Sequence, residues 1–102
     1  MMIEWVLAEA NVRVPAGREA DLIAAYHRLI AQPLPDGLLQ TELLRGPDGR
    51  WRIQTLWQDR SFLNAMRERP AHGLLHGLHA DADFAVFEVV DEWITPQPED
   101  LQ

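Results

Sequence analysis

Three of the four histidines in this 102-residue chain crowd into one stretch, residues 71–83, AHGLLHGLHADAD. Imidazole changes charge near neutral pH, so such a cluster suits proton transfer or metal ligation. On a helix turning about 100° per residue, His76 lies about 40° from His72, and His79 lies about 20° to the other side. The three therefore share one narrow stripe, with Leu74, Leu75 and Leu78 on the adjoining arc and Gly73 and Gly77 on its flank. A His-x-x-x-His pair has metal-ligand spacing, and Asp81 or Asp83 is near enough in sequence to complete a shell. Helices supply that spacing often, and with no committed third ligand no metal site is assigned. Two uses stay open: His76 as a contact to a bound small molecule, or all three histidines as a polar helix edge.

Composition narrows the chemistry further. All nine basic residues are arginine, which removes Schiff-base and P-loop lysine chemistry. There is no cysteine, hence no disulfide, thiol nucleophile or thiolate ligand. The one serine, Ser61 in DRSF, lacks the glycines of a nucleophile elbow. A formal charge of −7, spread along the chain, disfavours phosphate backbones and anionic lipid, so neither nucleic acid nor membrane is expected as a partner. An apolar fraction of 47% is that of a globular chain, and no apolar run approaches the roughly 20 residues that span a bilayer. The expectation is a soluble cytoplasmic protein.

The elements that must position these residues follow from periodicity. Met2 to Val14 alternates: Val6, Ala8, Ala10, Val12 and Val14 on one face, and Trp5, Leu7, Glu9, Asn11 and Arg13 on the other. After Pro15-Ala16-Gly17, Leu22, Ile23, Tyr26, Leu29 and Ile30 recur at helical spacing from Arg18 to about Ala31. Gly37 to Arg45 is a second strand, Gly46-Pro47-Asp48-Gly49 a hairpin turn, and Arg50 to Trp57 a third strand. Asp59 or Ser61 can cap a helix through about Glu68, Ala71 to His79 makes a shorter one, and Phe84 to Trp93 is a fourth strand.

The order βαββαβ predicts an α+β, ferredoxin-like fold with a four-stranded antiparallel sheet and helices on one face. The domain spans 1–95, with an extended proline-rich tail at 96–102. Strand 1's second face mixes Trp5 and Leu7 with Glu9, Asn11 and Arg13. It is too apolar to stay bare and too polar for a core, which predicts a homodimer with sheets packed face to face.

Over roughly residues 3 to 93 the chain resembles the antibiotic biosynthesis monooxygenase family of dimeric α+β barrels. The likeness rests on VRVPAG before helix 1, PDGLLQTELLR at strand 2, and LWQDRSFLNAMRERPAH after strand 3. It implies a pocket between sheet and helices in each subunit of a dimer. Trp57 matches a tryptophan of the polyketide-oxidising branch, which has an asparagine where this chain has Ile53. His76 matches the iron-ligating histidine of the haem-degrading branch, which has an asparagine at Ala10 and a tryptophan at Met66. The resemblance thus implies a monooxygenase that oxidises a small phenol, anthrone or quinol with O2 and no cofactor. Its alternatives are a haem-degrading enzyme holding haem through His76, and a dimer that binds a small molecule without turnover.

The candidate catalytic residues are His76 and Trp57, and the candidate pocket residues are Ala8, Ala10, Tyr26, Ile53, Thr55, Met66 and His72. Ala8 and Ala10 leave space beneath a helix, or let that helix approach closely. Trp57 is either a core aromatic or a pocket floor whose indole N–H meets a substrate oxygen. The Tyr26 hydroxyl should reach a pocket or the edge of the core.

Overall fold

A computed structural model describes residues 4–67 and 81–93. Strand β1 (Val6–Arg13) leads through a 3-10 turn (Ala16–Arg18) into helix α1 (Glu19–Ala31). Strands β2 (Leu38–Arg45) and β3 (Arg50–Trp57), helix α2 (Arg60–Arg67) and strand β4 (Asp81–Glu88) follow. The strands form one antiparallel sheet in the order β2-β3-β1-β4, the ferredoxin-like α+β arrangement.

The centre of the sheet is the β1–β3 pair. Val6 faces Trp57, Ala8 faces Thr55, Ala10 faces Ile53 and Val12 faces Trp51. Each of these eight side chains is apolar or small, and all lie on the side that the helices cover. Two packed clusters result. Under α1, Val12, Val14, Leu22, Tyr26, Trp51 and Ile53 are buried together; under α2, Val6, Trp57 and Leu63 are. Leu22, Trp57 and Leu63 are almost wholly enclosed, and burial of each side chain stabilises the fold by about 1.5–3 kcal/mol.

Local chemistry sets where the elements stop. Gln32 leaves α1 in extended conformation immediately before Pro33, which disfavours helix in the residue preceding it. Asp48 and Gly49 both have positive φ, at 58° and 76°, the pair a type I′ hairpin requires. Asp59 caps α2 by accepting hydrogen bonds from the backbone N–H groups of Ser61, at 2.8 Å, and Phe62, at 3.4 Å. The Ser61 hydroxyl also donates to it, and chiefly for that reason the Asp59 carboxyl lies below its ordinary pKa.

Several boundaries differ from the sequence reading. Strand 4 was expected from Phe84 to Trp93 but runs from Asp81 to Glu88. Its limits are set by β1, whose Arg13 and Val6 pair with Asp81 and Glu88. Only Val89 continues the contact, donating its N–H to the Trp5 carbonyl at 3.0 Å. Asp83 is therefore a strand residue opposite Asn11, on the side away from the helices. Strand 1 begins at Val6 rather than Met2, and Arg18 lies in the 3-10 turn before α1. Gly37 is a turn residue before β2. The short helix expected at Ala71–His79 and the tail expected at 96–102 lie outside the described residues.

Gly37 seats the start of β2 against α2. Its φ is +81°, its carbonyl accepts the Gln58 N–H at 2.8 Å, and a Cβ on it would fall within the Phe62 ring. Gly37→Ala should therefore destabilise the protein by about 2 kcal/mol or more, read by urea unfolding, with partial recovery when Phe62→Ala is added. Asp59→Ala should lower the melting temperature at neutral pH. The folded-state pKa of Asp59 is depressed, so its contribution is present above the unfolded value of about 3.8 and lost as pH falls through the folded value. The gap between wild type and Asp59→Ala should close in acid, and a gap constant from pH 7 to pH 2 would refute the assignment.

Candidate active site

The helix-facing side of the central strands gathers most of the residues singled out from sequence. Ala8 and Ala10 of β1 lie opposite Thr55 and Ile53 of β3, and Trp57 ends the same row. Tyr26 reaches this side from α1 within one cluster, and Met66 reaches it from α2 within the other. Ala10 packs against the α1 cluster and Ala8 against the α2 cluster, both half-buried. His72, His76 and His79 lie outside the described residues.

A polar seam runs where the two clusters meet. The Trp57 indole donates to the Thr55 hydroxyl at 2.8 Å, and that hydroxyl points to the Ala8 carbonyl at 3.5 Å. The Tyr26 hydroxyl donates to the Thr41 hydroxyl at 3.0 Å. Thr41 and Thr55 are cross-strand partners. Four hydrogen-bonding side chains are therefore collected between apolar walls, on a surface whose other side chains are Ala8, Ala10, Ile53 and Leu43. Apolar side chains with a few fixed hydroxyls among them are the composition small-molecule sites favour.

Two details sharpen the sequence reading. Of the two alternatives for Trp57, the core aromatic is the one seen: it is 1% exposed, and its N–H, which the pocket-floor alternative would have aimed at a bound oxygen, is donated to Thr55. Trp57 thereby orients the Thr55 hydroxyl. Thr41 was not singled out at all. The register shifts between Leu38 and Gln40, so Thr41 and Leu43 face the helices while Leu39 is 47% exposed. A bulge resets strand alternation; the remaining clue in TELLR was a lone hydroxyl among apolar and charged neighbours.

Among the described residues no group of three or more His, Asp or Glu side chains is placed to hold a metal ion. His27, the one histidine among them, is exposed and stands beside Tyr26. On the far side of the sheet, Arg52 donates to Asn11 at 2.7 Å and pairs with Glu9 at 3.4 Å. No helix among the described residues is long and apolar enough to cross a membrane.

No protein-family model and no curated protein matches the sequence. Solved structures do match. A protein from Deinococcus radiodurans assigned as an antibiotic biosynthesis monooxygenase superposes with a TM-score of 0.71 at 20% identity, over 90% of this chain and 98% of its own. A variant of SnoaB, a cofactor-independent oxygenase from Streptomyces nogalater, gives 0.73 at 15% identity, over 87% and 96%. This chain has the fold of the antibiotic biosynthesis monooxygenases. MhuD, a haem degrader from Mycobacterium tuberculosis, gives 0.69 at 28% identity, over 86% of this chain and 98% of its own. The likeness to this family read from VRVPAG, PDGLLQTELLR and LWQDRSFLNAMRERPAH is thus matched at the level of the whole fold.

The seam makes a stability prediction independent of any ligand. Tyr26→Phe and Thr41→Val should each cost about 1 kcal/mol, and the double variant little more than either single one. Chemical denaturation of the four proteins measures this, and full additivity would show that the two side chains do not depend on each other.

Proposed function

We propose that this protein is a cofactor-independent monooxygenase acting on a small aromatic of the phenol, anthrone or quinol type. The observation that carries the reading is the Trp57–Thr55 and Tyr26–Thr41 hydrogen-bonded seam on the helix-facing side of a sheet shared with a cofactor-independent oxygenase. The roles are as follows. The apolar side chains hold the flat ring, and Thr55, oriented by Trp57, hydrogen-bonds its oxygen. His76 removes a proton, and His72 is a second candidate for contact with the substrate.

For an anthrone, the resulting carbanion passes one electron to O2. The carbon radical and superoxide combine, and the resulting peroxide anion takes back the proton to give a hydroperoxide. Loss of water then leaves a new carbonyl. Excluding solvent from this site protects the anion. The unit is a homodimer through the sheet side bearing Leu7, Glu9, Asn11 and Arg52.

A second reading, haem binding with oxidative degradation, is favoured by the 28% identity to MhuD. Haem supplies oxygen activation when bound. The described residues do not by themselves fit it: Ala10 and Met66 pack into the two clusters and offer no polar contact to haem. The reading rests on His76 alone.

Oxygen uptake and product formation with anthrone and quinol substrates test the first reading. His76→Ala should lower kcat by about a hundredfold or more, as loss of a general base does. Trp57→Phe should lower it less, by freeing the Thr55 hydroxyl. Wild-type rates in both variants would remove the assigned roles. A Soret band on haem titration that disappears in His76→Ala would favour the second reading instead.

A further inference from the structure

Across the four strands, one row on the helix-facing side runs Val86, Ala8, Thr55 and Thr41, on β4, β1, β3 and β2 in turn. Hydrocarbon occupies the β4 end of this row, a small side chain the middle, and two hydroxyls the β2–β3 end. All four residues are half-buried, whereas Trp57 and Trp51, at the two ends of the inward side of β3, are buried. The two threonines are cross-strand partners, which sets their Cβ atoms about 5 Å apart. A threonine hydroxyl has one proton to give and can accept two. Thr55 accepts from the Trp57 indole at 2.8 Å, and an indole only donates, so the direction of that bond is fixed. Its own proton points at the Ala8 carbonyl across 3.5 Å, the far limit of a hydrogen bond. Thr41 accepts from Tyr26 at 3.0 Å, and among the described residues its proton has no acceptor. Two neighbouring O–H donors thus stand ready, each polarised by the aromatic donor behind it.

We propose that Thr41 and Thr55 act as a pair and determine which ligands are accepted, each donating its O–H to one of two oxygens on the same edge of a flat ring. Such an edge must offer acceptors only. A hydroxyl ortho or peri to a ring carbonyl meets this demand, because the carbonyl holds its proton and both oxygens turn lone pairs outward. A catechol edge does not, since it brings protons of its own. A lone carbonyl satisfies one threonine and leaves the other without a partner, which is how sites built for hydrogen bonding reject analogues. The apolar end of the row, Ala8 and Val86, is left to the hydrocarbon part of the ligand. When the ligand loses a proton, its charge spreads to the same two oxygens, where directed donors stabilise it. Tyr26 acts through Thr41 and is a positioning residue. This inference rests on the small-aromatic site proposed above and narrows its substrates to hydroxy-ketones.

Calorimetric titration of the full chain with 8-hydroxy-1-tetralone and with 1-tetralone tests it without turnover, with circular dichroism to confirm that each variant is folded. The wild type should bind the hydroxy-ketone at least about threefold tighter, the worth of one added neutral hydrogen bond. Thr41→Val should abolish that preference while leaving the affinity for 1-tetralone within about twofold, because Thr55 still serves a single carbonyl. Thr41→Ser should retain the preference. Tyr26→Phe should reduce it without abolishing it, an effect that lost packing, felt equally by both ligands, does not produce. Equal wild-type affinity for the two ligands, no binding of either at millimolar concentration, or a preference that survives Thr41→Val or is lost in Thr41→Ser overturns the pair. The monooxygenase reading then stands or falls separately, on oxygen uptake with anthrone substrates. A preference of the expected size with no oxygen uptake on any hydroxy-ketone supports the pair and overturns the enzyme instead.

Discussion

The β1–β3 register is the constraint on which the remaining structure hangs. It sets Val6 against Trp57, Ala8 against Thr55, Ala10 against Ile53 and Val12 against Trp51, and so gives the sheet one side that two helices can cover. A slip of one residue would turn Arg50, Arg52 and Gln54 toward those helices and leave three large apolar side chains facing outward. No other contact has that reach. The hairpin turn at Asp48–Gly49 supports the register from one end, where the Val14 N–H donates to the Gly49 carbonyl at 2.9 Å. At the other end Gly37 packs on Phe62 and accepts the Gln58 N–H, tying the start of β2 to the end of β3.

Within that frame the core is divided in two. The α1 and α2 clusters are each apolar, and the hydroxyls of Thr41 and Thr55 lie between them, each satisfied by an aromatic donor. Among the described residues no buried side-chain nitrogen or oxygen lacks a partner. Threonines in such a position contribute less packing than valines would. They are fixed polar points on an otherwise apolar surface, which is what orientation of a flat ligand demands. Both sides of the sheet therefore combine apolar area with a small number of directed polar groups.

The ends of the sheet differ from its middle. Along β1 the central positions alternate small apolar and polar residues, while the flanking grooves concentrate carboxylates at one end and guanidinium groups at the other. Charge separated along the strand axis has little effect on the fold itself, because exposed ion pairs contribute weakly to stability.

Strand and helix identity, the order βαββαβ and the inward face of β1 were legible in the sequence, because alternation and helical spacing report burial directly. The Trp57 row and the capping aspartate followed from the same local rules. Thr41 was hidden because a bulge breaks the parity that links sequence position to face. The length of β4 was hidden because its pairing partner, not its own residues, decides where it ends. The use of the Trp57 N–H lay closer to hand, since its acceptor Thr55 is two residues back on the same side of the same strand. Periodicity is a property of one segment and survives in the bare sequence; pairing, charge segregation between the two ends of the sheet and the meeting of two apolar clusters exist only once distant segments are brought together.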